Sequence, residues 1–183
     1  MLSLADVRRY AWADEDPDLA WTVAVVRGRS ADEVVRAYGG DPTDPPRTMA
    51  FREAVVSHEE LGRSSWLLVH EDDGAVIVLE NNGWFGTREA VAKQASAGGG
   101  HFMSVHWDLN ANHQLLAAID GELVTSFDPL LVEHQPEWLD DVVLDDESLH
   151  AVLLAVLAER TGVVAQRQWL TAEFRAYLAR RRD

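Results

Sequence analysis

The apolar positions along the chain change period several times, and each change marks an element. Leu4, Val7 and Tyr10 recur at helical spacing behind Ser3, whose hydroxyl can accept a free first-turn amide, so a helix is predicted over 3–12. The acidic, proline-containing DEDPD at 14–18 ends it. AWTVAVVRG (20–28) does not alternate at all; a β-branched run bounded by Gly28 is the form of a strand buried on both faces. Ser30 and Glu33 make a capping box that opens a helix carrying Val34, Val35 and Tyr38, and Gly39-Gly40 stops it. Beyond the loop DPTDPP, residues 48–60 read as a helix with Met49, Phe51, Val55 and Val56 inward.

The middle of the chain is β. SWLLVH (65–70) and AVIVLE (75–80) flank Glu71-Asp72-Asp73-Gly74, a hairpin signal, and Asn82-Gly83 adds a turn before Trp84. Thr87 is expected to cap a helix over 88–97 that stops at Gly98-Gly99-Gly100. Strands follow at 102–108, 114–119 and 122–127, the last two joined by Asp120-Gly121. Leu149, Val152, Leu153, Val156 and Leu157 then hold helical spacing up to Gly162, and a last helix is predicted over 171–182, from Thr171 to Arg180-Arg181-Arg182. The pattern predicts one α+β domain over 1–183. It would have an antiparallel sheet of about six strands, helices mainly on one face, and a C-terminal helical pair within 147–182. A parallel doubly wound sheet is not expected, because strands outnumber crossover helices.

Composition narrows the classes. The chain has 183 residues and no cysteine, which removes disulfides, thiolate nucleophiles and Cys-ligated metals and fits a reducing compartment. The N-terminus lacks a signal-peptide pattern and no run of about 18 apolar residues exists, so the expectation is a cytoplasmic protein without membrane contact. The formal net charge of −15 opposes nucleic-acid binding and favours a basic protein partner.

The richest local chemistry is HFMSVHWDLNANH (101–113). Strand parity puts Met103, Val105 and Trp107 on one face and Phe102, Ser104, His106 and Asp108 on the other, with His113 on the returning strand. His106, Asp108 and His113 offer metal-ligand chemistry, but their spacing matches no defined signature; solvated hairpin histidines are expected, and neither a metal nor another cofactor. The glycines at 98–100 follow a helix and precede a strand, the reverse of a phosphate loop, so they read as a helix stop. His58-Glu59-Glu60 lacks the second histidine of a zinc-protease motif. Glu80 in LENNGW and Asp128 in SFDP are strand-end carboxylates. They read first as turn formers, and alternatively as an acid–base pair.

The segment 128–147, DPLLVEHQPEWLDDVVLDDE, has eight acids and no Lys or Arg, punctuated by Leu130, Leu131, Trp138, Leu139 and Val142 to Leu144. Such a composition reads first as a solvated acidic face with part of its apolar set in the core, and alternatively as a docking face in which an aromatic anchors and charge steers.

WTVAVVRG with the following SADEVVRAYGG, then VIVLENNGW, then VHWDLNANHQLLAAIDGELVTSFDP, resemble in order the blocks of an actinobacterial family of small domains of unknown function, over roughly residues 20–160. The resemblance implies a small cytoplasmic protein with no established reaction, and it carries over no catalytic residue. Its polar block positions fall on Arg27, Glu80, Asn82 and Asp128, which read as fold determinants. By analogy of size and charge, the family is similar to immunity-like and adaptor proteins of bacterial conflict systems.

The leading expectation is a non-enzymatic interaction module whose partner-binding residues are Glu137, Trp138, Asp140, Asp141, Asp145 and Asp146. The competing expectation is an enzyme or small-ligand binder in which Glu80, His106, Asp108 and Asp128 converge in one pocket.

Overall fold

The computed structural model of the chain describes residues 2–131 and 148–181. Within these, eight strands form one sheet: β1 (Trp21–Arg27), β2 (Arg47–Ala50), β3 (Ser64–Asp72), β4 (Ala75–Asn81), β5 (His101–Trp107), β6 (His113–Ile119), β7 (Glu122–Phe127) and β8 (Glu173–Arg180). The order is β2-β8-β3-β4-β1-β5-β6-β7, with neighbours antiparallel throughout. The turns expected at Asp73-Gly74 and Asp120-Gly121 form with positive φ at both residues, 43° and 71° in the first, 48° and 81° in the second. That backbone twist matches paired strands.

All six expected strands are present, and the sheet is larger by two. Residues 171–182 do not form a helix: a single 3-10 turn at Arg167–Leu170 leads into β8, which inserts between β2 and β3. Glu, Arg, Ala and Leu favour a helix locally, but Phe174 and Ala176 pack into one core while Tyr177 and Ala179 pack into the other, a period of two. Without β8, the buried Leu67, Leu68 and Val69 of β3 would lie at an open edge. Long-range pairing therefore overrides local propensity. Residues 48–60 are likewise not helical. Their start is β2, and Phe51 opens a 3-10 turn (Phe51–Glu53) that packs it edge-on against Trp21 at 5.7 Å, while Val55 is exposed.

Among the described residues four α-helices cover the sheet, on both faces rather than mainly on one: α1 (Leu4–Arg8), α2 (Ala31–Ala37), α3 (Glu89–Ser96) and α4 (Leu149–Thr161). Trp21, Val23, Val25, Met103, Val105 and Trp107 share a core with α4, against which α1 also packs; Ala24, Val26, Val76, Val78 and Phe102 share the other with α2 and α3. The reason is visible in β1, whose first six residues are all buried and so need a cover on each side. Helix α1 begins at Ser3 and α2 at Ser30, each with its capping box formed, to Asp6 and Glu33. Thr87 does not cap α3; its hydroxyl donates to the Trp84 carbonyl instead. Helix α4 is buried around most of its circumference, Ala151, Leu154 and Ala155 adding to the predicted stripe. Its first-turn amides at His150 and Ala151 donate to the two carboxylate oxygens of Asp14, both at 3.0 Å. Gly162 closes it at φ 74°, and Arg27 donates to the Thr161 carbonyl at 2.7 Å. No helix among the described residues is long and apolar enough to cross a membrane.

Candidate functional site

On the α2/α3 face, the apolar core gives way at one end to a row of polar side chains. Register places Glu80 of β4 opposite Thr22 of β1, Thr22 opposite His106 of β5, and His106 opposite Gln114 of β6. Ser65 on β3 and Ser104 on β5 adjoin the row, and Glu80, Thr22, Ser65, Ser104 and His106 are all buried. The residues that follow Glu80 fold back over it. Ser65 Oγ donates to Glu80 Oε2 at 2.6 Å, the Phe85 amide to the same oxygen at 3.0 Å, and the Gly86 amide to Oε1 at 2.7 Å. Thr22 and Ser104 fix the loop from below, donating to the Gly83 and Gly86 carbonyls at 2.6 and 2.7 Å. A Cβ on Gly83 would meet Glu80 Oε2 at 2.7 Å, and one on Gly86 would meet Thr22 Cγ2 and the Tyr38 hydroxyl at 2.9 Å. Glycine is required at both positions by this close approach.

The electrostatics follow from burial. Removal from water pushes the Glu80 carboxyl above its ordinary pKa, against the pull of the Ser65, Gly86 and Phe85 donors and the Arg88 charge. Burial, with Glu80 nearby, also raises Tyr38 well above the usual phenol value. The Tyr38 hydroxyl lies beside Gly86 without a hydrogen-bond partner among the described residues. Burial drives His106 down to about 4, outweighing the nearby Asp108 charge. His106 Nδ1 is 2.9 Å from Thr22 Oγ1. The single Thr22 proton goes to the Gly83 carbonyl, so the neutral imidazole donates from Nδ1.

The sequence-predicted residues are therefore only partly brought together. Glu80 and His106 share the row, linked through Thr22 and two strand spacings, roughly 10 Å, apart. Asp128 lies just past β7, four strand spacings or roughly 19 Å from Glu80, where Oδ1 accepts from the Leu130 amide at 2.9 Å. Asp108 closes the β5–β6 turn, accepting from the Asn110 and Asn112 amides and the Asn112 side chain at 2.8, 3.1 and 2.8 Å. Burial raises its pKa, but these donors outweigh it and leave the group below the ordinary value. The four groups do not line one pocket.

Nor do the histidines converge. His113 pairs with Trp107 and faces α4, its ring 5.5 Å from that of His150, which stacks on Trp107 at 4.4 Å. His106 points through the opposite face and is buried, not solvated; of the three histidines in 101–113, His101 is exposed while His106 and His113 are buried. Among the described residues no three His, Asp or Glu side chains are grouped to hold a metal. Glu137, Trp138, Asp140, Asp141, Asp145 and Asp146 lie outside the described residues.

Sequence reasoning missed Thr22, Ser65 and Ser104. Their signal was present: each is a hydroxyl interrupting an otherwise apolar buried strand. It also missed Tyr38 as part of the site and Asp14 as the remote cap of α4, for which no local pattern exists.

A family model described as "Family of unknown function (DUF6461)" matches residues 3–146, a span from the start of α1 through β7 that stops before α4 and β8. No curated protein and no solved structure matches the chain.

Proposed function

We propose, taking as premise that the chain belongs to the family of unknown function DUF6461, that it is a non-enzymatic module which binds and regulates a basic partner protein. The observation that carries this reading is the β7 edge of the sheet. Among the described residues strand β7 has a neighbour on one side only, and its surroundings expose apolar side chains: Val124 at 51%, Leu130 at 40% and Leu131 at 80%. The eight-acid segment 128–147 begins there. An edge with unpaired backbone groups, apolar contacts and a dense negative charge is complementary to an extended basic segment. Within this reading Trp138 is the aromatic anchor, and Glu137, Asp140, Asp141, Asp145 and Asp146 steer the encounter.

In this reading the polar row holds the fold, because Glu80, Thr22 and Ser104 hydrogen-bond to the 83–86 loop. By the same analogy of size and charge, the proposed setting is a cytoplasmic immunity-like or regulatory role in an actinobacterial defence system. The test is charge reversal at Asp140, Asp141 and Asp145 to Lys, with partner affinity measured at low salt. Affinity falls at least about tenfold if these acids steer the contact; affinity equal to that of the unaltered chain refutes it.

A further inference from the structure

In this strongly acidic chain, one surface cleft is basic. It opens between α3, the end of α2 and the end of β8, has a volume of about 550 Å³, and is lined by Arg88, Arg180, Arg181, Trp84, Gln94 and Tyr38 among others. Among the described residues no Asp or Glu lines it. Several arginines elsewhere have carboxylate partners, among them Arg29 with Glu33, Arg52 with Asp16 and Arg175 with Glu71. Among the described residues, none lies within ion-pair distance of Arg88, Arg180 or Arg181.

The guanidinium groups of Arg88 and Arg181 rise from fixed backbone, and Arg180 borders the cleft through its main chain, its position in β8 sharing the parity of Phe174 and Ala176 on the other face. Gly39 comes so close to Arg180 that a Cβ there would overlap the Arg180 carbonyl, and the Arg181 amide donates to the Arg63 carbonyl at 2.8 Å. Arg88 lies over the Phe85 ring, 3.9 Å from its centroid, and donates to the Gly62 carbonyl at 2.9 Å. Burial and the Arg181 charge both act to hold Arg88 below its ordinary pKa, with buried Glu80 acting in the other direction. Two guanidiniums that repel each other across a cleft with no acid in its lining are stabilised when an anion enters between them.

We propose that this cleft binds a small phosphorylated molecule, with Arg88 and Arg181 meeting the phosphoryl oxygens and Trp84 walling the organic part. Guanidinium forks match phosphate oxygens two at a time, and two such forks suit a multiply charged group better than one carboxylate. The volume exceeds that of a lone phosphate and falls within the range of small-molecule sites. A nucleic acid is disfavoured because a long polyanion would extend across a surface of net charge −15, whereas a small ligand stays within the cleft.

The test is calorimetric titration of the full chain with inorganic pyrophosphate in phosphate-free buffer, beside Arg181→Gln and Arg36→Gln, the latter altering an exposed ion-paired arginine outside the cleft. The expected result is saturable one-to-one binding with a submillimolar Kd. Arg181→Gln weakens it by about tenfold or more at unchanged melting temperature, and Arg36→Gln leaves it as it was. Absence of saturable binding up to about 10 mM overturns the proposal. So does equal affinity in Arg181→Gln, or tighter binding of citrate than of pyrophosphate.

Discussion

A carboxylate without solvent contact must be satisfied by the protein, and Glu80 takes its donors from Ser65 and from the loop immediately after itself. Glu80→Gln keeps one acceptor oxygen but sets an NH2 against the donor or donors of the other, so we expect a loss of about 1–3 kcal/mol in urea unfolding, larger than that of an exposed Glu→Gln change. Gly86→Ala should cost about 1–3 kcal/mol by the same assay, because its Cβ has to displace Thr22 or Tyr38. His106 gives a pH signature. Its folded pKa of about 4 lies below the ordinary 6.5, so between those values the unfolded chain takes up a proton that the folded chain refuses. The His106 contribution is therefore complete above pH 6.5 and is lost on acidification toward pH 4, by about 3 kcal/mol. Urea midpoints at pH 7.5 and pH 5 should show a smaller drop in His106→Gln than in the unaltered chain; an equal drop would place the acid sensitivity elsewhere. Glu80, raised in the fold, has the opposite sign: its contribution is present below the ordinary carboxylate pKa and is lost as pH rises. At this scale the sequence was partly legible. Glu80 and His106 stand out as polar strand residues, but their connection through Thr22 depends on a pairing of β1 with both β4 and β5 that no local window contains.

Among the elements, local chemistry decided some outcomes and distant partners decided others. The Ser30 capping box, the Asp-Gly hairpins and the Gly162 stop were readable because each signal lies within a few residues of its effect. Strand β8 was not, because EFRAYLAR suits a helix until β2 and β3 offer it two edges. Ala176→Pro tests this assignment: position 176 faces Arg47 of β2 and Leu68 of β3, so proline disrupts a central strand. We expect a loss of about 3 kcal/mol or more, or failure to fold, read by circular dichroism and urea midpoint. Asp14 is the corresponding remote element for α4, and Asp14→Ala should lower stability by about 1 kcal/mol through loss of the cap.

At the scale of the molecule, the two covered faces were foreshadowed by the unbroken apolar run of β1, and only the distribution of helices between them was hidden. The exposed resources that remain are an apolar sheet edge at β7 continuous with a strongly acidic segment, and a basic cleft at the far end of β8. The interaction reading rests on the first. Its most direct test is capture from the source lysate at low and high salt, comparing the unaltered chain with a Val124→Arg/Leu131→Arg double variant at matched stability. The account predicts one basic protein enriched in stoichiometric amount at low salt, weakened by salt, and lost with the double variant. No stoichiometric partner at either salt, or a partner that the double variant retains equally, would contradict it.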